Sequence, residues 1–334
     1  MSAIRYGAEH VAGLAEEATF GTAIADDQAF EQYLTDLPDV DSDYRQIIRE
    51  GANRMPFTDI KDVANHTKGH EPKITLAGPA THEGLDNLLY SWFTACTEGA
   101  TTPYDKTFTV PSTPVDYTSN EGIFHTIIVK NPTASASEKI TSAICQNLTI
   151  KASRTEQNGR LMYSADMVGK AYSATSNPSG TFTRTPAEYW NIFDITSFEI
   201  EGNALILDSF ELVLNKTLVS TGVDGSGSFQ GWASPVFSGQ FNVSLIEDAN
   251  ARTELNRISS ATRSDIEFYW GNNDGSVDED LYFSLNGVVM PGSKMTRQDV
   301  VKIDISYKLV YDAADTSKTE PFKCIMANAI DRTW

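Results

Sequence analysis

The segment KITLAGPATHEGLDNLLYSWFTAC, residues 73–96, decides the fold of the first half of the chain. It opens with alternation over residues 73–76 and continues into a helical pattern over residues 82–96, whose apolar side chains form one broad face. The side chains of that face are Leu85, Leu88, Leu89, Trp92, Phe93 and Cys96. The elements predicted after this helix are a strand at 108–110 and a hairpin formed by 124–129 and 140–152. The sequence therefore predicts the order strand, helix, strand, hairpin over residues 73–153.

The same order of elements occurs again between residues 237 and 312. Alternating residues 237–246 precede a helical pattern over residues 248–262, with Leu255 and Ile258 on its apolar face. The elements predicted after it are a strand at 266–270 and a hairpin formed by 281–290 and 301–309. A fixed internal period is typical of a duplicated architecture. We therefore predict a tandem duplication with a period near half the chain.

The composition fits two compact, mainly β units. A chain of 334 residues is long enough for two domains, each with its own core. Many residues are Thr, Ser, Val, Ile or aromatic, and the β-branched and aromatic ones favour strands. The three cysteines, Cys96, Cys145 and Cys324, are far apart, which favours buried thiols over a disulfide framework. Residues 1–23 contain no signal-peptide core, and no apolar run reaches membrane length.

The chain is strongly acidic, with a formal net charge of −19. A protein that grips phosphate backbones needs clustered Lys and Arg, and the sequence contains no such run. An acidic surface repels DNA, as it repels other polyanions. Solubility alone is the other explanation of the charge, and the sequence leaves both open.

The predicted organisation places long polar segments at matching positions in the two halves. Residues 45–69 and 221–232 each precede a predicted helix, and both are predicted to be long loops. Further strands are expected at 30–44, 161–168, 189–199, 204–207 and 210–218. The predicted units are an N-terminal arm 1–27, a first domain 28–172, a linker 173–186, a second domain 187–312 and a C-terminal tail 313–334.

A series of short motifs resembles one protein family. The arm contains Glu17-Ala18-Thr19-Phe20-Gly21-Thr22, with Gly21 predicted in a turn. Later motifs are Leu148-Thr149-Ile150 followed by Gly159 and Met167-Val168-Gly169-Lys170, and Phe210-Glu211-Leu212-Val213-Leu214-Asn215 followed by residues 237–247. In order and spacing these resemble the tail tube proteins of long, non-contractile-tailed bacteriophages. Each motif is short, so the resemblance depends on the series, which covers nearly the whole chain.

The resemblance implies a β-sandwich or barrel flanked by a helix, assembled into stacked rings that form a hollow tail tube. Family rings are usually sixfold, and members with two fused tube domains form threefold rings that imitate six. The duplication therefore predicts three chains per ring, with six as the alternative. The resemblance also implies assembly in the host bacterial cytoplasm into a virion, with a tape-measure protein, a tail terminator and distal tail or baseplate proteins as partners. Genomic double-stranded DNA would pass through the lumen without specific binding.

The arm and the two long loops are expected to reach the next ring. Sealing the inner strands of six units into one lining would also remove exposed sheet edges. The residues predicted to make contacts between rings or subunits are Glu17, Phe20, Gly21, Arg49, Arg54, Phe229 and Trp232. For Phe229 and Trp232 the alternative is that the aromatic side chains fold back on their own domain. A lumen dominated by carboxylates is a further hypothesis, because a negative wall repels DNA without offering binding sites.

The enzyme-like and metal-like patterns are weak. His66 and His70 have helical spacing but no further ligand, whereas zinc sites need three or four. A calcium loop needs a more fixed arrangement than the acidic runs have, with a glycine and a closing bidentate glutamate at set positions; the runs are Asp39, Asp41 and Asp43, and Asp278 and Asp280 near Asp274-Gly275. The sequence has no Gly-Xaa-Ser-Xaa-Gly elbow and no Gly-Lys-Ser/Thr phosphate loop. The prediction is a structural protein without catalysis, cofactor or metal.

Two alternatives stay open. Another tail ring component, such as a tail completion or baseplate hub protein, would share the fold but cap the stack. A β-rich carbohydrate-binding or hydrolytic module belongs to a different class, and self-association separates it from a tube subunit.

Overall fold

The protein is described by a computed structural model. It describes residues 11–24, 30–32, 34–35, 38–41, 45–48, 63–66, 71–82, 84–93, 96–110, 115–118, 124–131, 136–175, 182, 189–222, 231–234, 236–271, 280–297, 300–312 and 320–328. The fold is mainly β, as predicted, and most strands of the described residues belong to one large antiparallel sheet system. Two α-helices occur in these residues, α1 (Gly84–Phe93) and α2 (Ala249–Asn256), and both lie within the predicted helical segments.

The strands follow the chain in this order. The strands before and around α1 are β1 (Val11–Glu16), β2 (Phe30–Gln32), β3 (Val40–Asp41), β4 (Arg45–Ile48), β5 (Val63–His66), β6 (Lys73–Pro79), β7 (Cys96–Glu98), β8 (Tyr104–Thr109), β9 (Val115–Thr118), β10 (His125–Asn131), β11 (Ala136–Ser153), β12 (Met162–Val168) and β13 (Ala171–Thr175). The strands before and around α2 are β14 (Ser197–Ile200), β15 (Asn203–Ala204), β16 (Leu207–Lys216), β17 (Val219–Ser220), β18 (Gly231–Ser234), β19 (Phe237–Ile246), β20 (Arg263–Trp270), β21 (Leu281–Val289), β22 (Lys294–Arg297), β23 (Val301–Leu309) and β24 (Phe322–Asn328).

Strand pairing reveals an internal repeat. Residues 11–175 and residues 197–328 contain the same set of antiparallel pairings around one helix, and we call these spans repeat one and repeat two. The matching pairs are β1–β10 with β14–β20, β10–β11 with β20–β21, β11–β12 with β21–β23, β12–β6 with β23–β19, β6–β3 with β19–β16, and β11–β13 with β21–β24. This agreement in topology supports the duplication predicted from the sequence.

The repeat differs in two ways from the predicted one. The sequence pattern matches the predicted strand at 108–110 with the one at 266–270, which is β20. Strand pairing instead matches β10 with β20, β11 with β21 and β12 with β23. The hairpin β7–β8 is an insertion in repeat one, since α2 leads to β20 without a strand between them. The correspondence is therefore shifted by one strand, because similar alternation does not reveal which strand pairs with which.

The predicted arm and tail both contain strands of the main sheet. β1, which lies within the predicted arm 1–27, pairs along its whole length with β10, and its Ala12 and Leu14 are buried. β24, which lies within the predicted tail 313–334, pairs with both β21 and β8. Burial of their apolar side chains holds both strands in the core. The predicted boundaries 28–172 and 187–312 are therefore too narrow at these ends.

Other predicted segments also differ in the structure. β4 and β5 form a short hairpin within the predicted loop 45–69. The predicted strand at 30–44 is the two short strands β2 and β3. In the predicted strand at 189–199, a 3-10 helix at Ile192–Asp194 precedes β14. Asn191 accounts for this, because its side chain accepts a hydrogen bond from the Phe193 amide and starts the turn.

The two repeats are fused through backbone pairing. The C-terminal half of β11 pairs with β12 on one side and with β16 of repeat two on the other. One sheet therefore runs in the order β3–β6–β12–β11–β16–β19–β23–β22. We call this the inner sheet. β24 makes a second junction, because it joins β21 of repeat two to β8 of repeat one.

The helices of the two repeats are buried to different extents. All ten residues of α1 are buried, and the helix packs on the apolar face of the inner sheet against β11. In α2 only Ala251 and Glu254 are buried, and Ile258 beyond its end is exposed. Asp248 caps α2 by accepting a hydrogen bond from the Ala251 amide at 2.7 Å. Packing therefore stabilises α1, whereas α2 relies more on its cap and its polar contacts. In the described residues, no helix has the length and apolar character needed to cross a membrane.

Candidate functional site

The inner sheet has one apolar face and one polar face. Along its strands the buried side chains alternate with partly exposed ones, as in β6, β12, β16 and β19. The sheet curves, so the polar face lines a cleft of about 700 Å³ that extends from β6 to β23. This concave polar face spans both repeats, which makes it the first candidate functional surface.

An aspartate in each repeat anchors the polar face. In repeat one, Asp166 on β12 accepts hydrogen bonds from Thr75 Oγ1 at 2.7 Å and Asn147 Nδ2 at 3.1 Å. In repeat two, Asp304 on β23 accepts hydrogen bonds from Ser244 Oγ and Thr296 Oγ1, each at 2.8 Å. The donors come from the strands on either side of each aspartate. Each carboxylate therefore ties three strands together.

Charges of both signs occur on the polar face. By strand register, the lysines on it are Lys73, Lys151, Lys294, Lys302 and Lys308, and the carboxylates are Asp41, Asp166, Glu211 and Asp304. Lys302 is also paired with Asp208 at 2.6 Å. A lumen wall dominated by carboxylates stays a prediction, and the described part of this face carries charges of both signs.

The two ends of the inner sheet are open along much of their length in the described residues. β6 pairs fully with β12, but on its other side β3 covers only Lys73 and Ile74. A further contact there is the Thr35 amide donating to the Ala77 carbonyl at 2.8 Å. At the opposite end, β22 pairs with β23 on one side only. Such edges expose backbone donors and acceptors that can pair with another chain.

Three of the predicted contact residues lie together beside the Ile144–Val168 pair, where the pairing of β11 with β12 begins. The ring of Phe20 lies 4.6 Å from that of Phe124 and 6.5 Å from that of Trp232, between centroids. Trp232 is buried in a small apolar cluster with Ile144, and Gly21 follows Phe20 in a turn. Trp232 belongs to repeat two but packs on side chains of repeat one, so it does not fold back on its own domain as the alternative had it.

Gly21 and Glu17 hold the turn in place. Gly21 has φ +83°, and an added Cβ would lie 2.8 Å from Lys170 Nζ, so the predicted glycine turn is present. Glu17 is buried and accepts hydrogen bonds from the Ser142 amide, from Ser142 Oγ and from Thr126 Oγ1 at 2.6–2.7 Å. Burial raises the pKa of Glu17, and these hydrogen bonds partly oppose the rise.

The Glu17 contacts mark the point where β11 changes partners. Ser142 has φ +51° and lies in the bulge near the end of the β10 pairing, two residues before Ile144, where the pairing with β12 begins. Within the chain, Glu17 therefore braces the strand that joins the two repeats. Of the other predicted contact residues, Arg49, Arg54 and Phe229 lie outside the described residues, as do His70, Asp43, Asp274 and Asp278.

Two buried lysines were not singled out by the sequence. Lys106 on β8 donates to Asp86 Oδ2 of α1 at 2.7 Å and to Asn328 Oδ1 of β24 at 2.8 Å, and both charged side chains are fully buried. Lys216, at the end of β16, donates to the Ser91 and Trp92 carbonyls at the end of α1. Both lysines bridge the two repeats. Lys106 also lies 3.6 Å from Glu98 Oε1, but Asn328, Ser91 and Trp92 are more than one hundred residues from the lysines they contact, so local patterns do not reveal these contacts.

Burial also shifts the pKa values of these interior groups. It lowers the pKa of Lys216 to about 7 and raises that of Cys145 to about 12. No group of three or more His, Cys, Asp or Glu side chains that could hold a metal ion occurs within the described residues. Lys216 and Cys145 are buried in the core and do not line the cleft.

Comparison with known proteins gave neither a matching family model nor a matching curated protein.

Proposed function

We propose that the chain is a structural subunit that closes into rings by pairing its sheet edges and stacks those rings into a phage tail tube. The observation that carries this proposal is the junction between β11 and β16. Within one chain it joins two copies of the same topology edge to edge in one curved sheet. At the two ends of the inner sheet the corresponding strands are β22, which continues the place of β21 beside β23, and β3, which matches β16 and leaves part of β6 uncovered in the described residues.

Repetition of the same junction between chains gives a closed ring. The β22 edge of one chain would pair with the β3–β6 edge of the next, just as β11 pairs with β16 inside the chain. A closed ring leaves no free edge, which is the usual way in which β assemblies avoid uncontrolled pairing. With two repeats per chain, three chains supply six equivalent units, and six chains per ring is the alternative.

The concave polar face would line the lumen. Its aspartates already accept hydrogen bonds from neighbouring hydroxyl and amide groups, and it carries both lysines and carboxylates. A wall without a cluster of cations offers DNA few discrete phosphate sites. Double-stranded DNA would therefore pass without specific binding, and an acidic lumen remains part of the proposal.

The proposal includes the partners and the location that the resemblance implies. These are a tape-measure protein, a tail terminator and distal tail or baseplate proteins, in a virion tail assembled in the bacterial cytoplasm. The proposal assigns the chain no enzymatic activity and no cofactor.

Electron microscopy of the purified protein at high concentration tests the assembly. Hollow tubes with three chains per ring are expected, and six chains per ring would keep the function but change the stoichiometry. A chain that stays monomeric at every concentration would contradict unaided self-assembly.

Amide hydrogen exchange tests the edge pairing itself. Amides of Lys294–Arg297 and Lys73–Pro79 should become protected on assembly, because new strand pairs would cover them. Amides at the internal junction, in Leu207–Lys216, are the matched control, because they are already paired in the monomer. Tubes without added protection at both edges would refute ring closure by strand pairing.

The two alternatives predict other outcomes. A tail completion or baseplate hub protein would form single rings that bind a tube end but do not propagate. A carbohydrate-binding module would stay monomeric and bind glycans, for which the cleft is the available surface. The aromatic residues that line the cleft, Tyr163 and Phe210, are buried, so they offer no exposed ring for a sugar to stack on.

A further inference from the structure

Large exposed apolar side chains gather at the two opposite ends of the repeat-two part of the inner sheet. At the end where β16 and β23 begin, the exposed residues are Phe193 (58%), Ile206 (55%) and Val300 (49%). At the end where these strands finish, they are Val219 (49%), Val236 (53%) and Tyr311 (60%). We call these sets the lower rim and the upper rim. Among the described residues, the one other large exposed apolar side chain is Ile258.

The lower rim is continuous through the backbone. The Ile246 amide donates to the Ile206 carbonyl at 2.9 Å, and the Glu247 amide donates to the carbonyl of Val301, the neighbour of Val300, at 3.0 Å. The Arg154 amide donates to the Asp208 carbonyl, two residues after Ile206, and its guanidinium lies over the Phe193 ring. The three apolar residues therefore follow one edge of the sheet rather than being scattered.

The upper rim is continuous in the same way. The Thr217 amide donates to the Val236 carbonyl at 3.0 Å, and Val219 pairs with Ala233. Tyr311 follows the end of β23. β23 pairs with β19, and β19 begins directly after Val236. With about 3.4 Å per residue along ten-residue strands, the two rims are separated by roughly 30 Å.

Such a distribution is characteristic of a heterologous interface. Single exposed apolar residues are normal on a protein surface, but concentration at two opposite poles is not explained by chance scatter. Two different patches that fit each other head to tail generate an open, repeating polymer rather than a closed dimer. The strands run from one rim to the other, so contact between the rims joins copies along the strand direction.

We propose that the lower rim packs against the upper rim of a second copy of this chain, in the next ring of the stack. This rests on the proposed function and adds to it the surface and polarity of stacking. The edges β22 and β6 close each ring sideways, and the rims join rings axially. Burial of apolar side chains, rather than ion pairing, supplies the axial attraction, so tubes should persist at high salt.

Charge placed on either rim tests this directly. Ile206→Glu with Val300→Glu alters the lower rim, and Val219→Glu with Val236→Glu alters the upper rim. Each double variant is expected to form rings but no tubes and to raise the critical concentration for stacking at least tenfold. Burial of one such apolar side chain changes an association constant by roughly one to two decades. Ile258→Glu, on an exposed residue of similar size, is the matched control and should form tubes normally.

A mixture of the two variants gives the sharpest readout. Lower-rim variants keep a normal upper rim and upper-rim variants keep a normal lower rim, so an equal mixture should form pairs of rings and nothing longer. Tubes of normal length from either double variant would overturn the rim contact while leaving the proposed function intact. Absence of rings from the unmodified protein would instead overturn unaided ring closure, and the rim contact with it. Thermal unfolding of each variant checks its fold, and threonine at the same positions serves as a milder substitution.

Discussion

Substitution of Lys106→Met is expected to destabilise the protein more than any change to an exposed ion pair. Lys106 and Asp86 are both fully buried, with Nζ and Oδ2 2.7 Å apart. Asn328 completes the group by accepting from Lys106 and donating to Asp86 at 3.2 Å. Loss of the lysine leaves a buried carboxylate without its cation. Removal of one partner of such a pair costs about 3–5 kcal/mol of unfolding free energy.

A matched control separates this effect from the loss of a lysine as such. Lys302 and Asp208 are 2.6 Å apart, but both are partly exposed to solvent. Lys302→Met should therefore cost less than about 1 kcal/mol, because solvent screens that pair. The double variant Lys106→Met with Asp86→Leu should recover most of the loss, since neither charge is then buried alone.

Equilibrium urea unfolding of the unassembled protein measures these free energies. The location of the pair gives a second readout, since it joins α1, β8 and β24 across the two repeats. Hydrogen exchange in Phe322–Asn328 should therefore increase in Lys106→Met and be unchanged in Lys302→Met. If the two single variants lost the same free energy, or if the double variant were worse than Lys106→Met, the reasoning from burial would be refuted.

Three further outcomes are expected. Burial lowers the pKa of Lys216 from 10.5 to about 7. Between these two pH values the unfolded chain binds more protons than the folded chain, so the free energy of unfolding should rise with pH. Lys216→Met should remove this pH dependence, as measured by urea unfolding at several pH values. Glu17→Gln should cost about 1.5–3 kcal/mol because an amide nitrogen replaces an acceptor of the Ser142 and Thr126 donors, and an unchanged melting temperature would contradict this. Trp232→Ala should lower the free energy of unfolding by about 3–5 kcal/mol, because it leaves a cavity beside Phe20. Limited proteolysis is the second measurement, and it should cut the segment around Phe20 more readily in this variant.

Local patterns predicted the elements that have strong periodicity. β19 and β23 were predicted at residues 237–246 and 301–309, and the structure has the same bounds, because alternation arises from neighbouring residues and one buried face. Both helices were predicted from apolar side chains at helical spacing, which is also a pattern of neighbouring residues. Segments with weak alternation were missed, notably the β4–β5 hairpin and β1 within the predicted arm.

The candidate site was harder to predict than the fold. Phe20, Gly21 and Trp232 were selected from motif and composition, and the structure brings them together at one end of the sheet. Their contact joins residues more than two hundred positions apart, which no local pattern specifies. The roles of Glu17 and Lys106 were missed because a buried charge is identified by its partners, and those partners are brought near only by the folded chain.

The sequence by itself determined that the protein is acidic, mainly β and internally duplicated, because composition and hydrophobic period are properties of residues close together in the chain. Only the tertiary structure decided which strands correspond in the two repeats, that β11 and β16 fuse them, and which edges and rims are exposed among the described residues. Strand pairing uses backbone N–H and C=O groups, which nearly every residue has. The sequence of one strand therefore does not select its partner, and packing of the whole chain does.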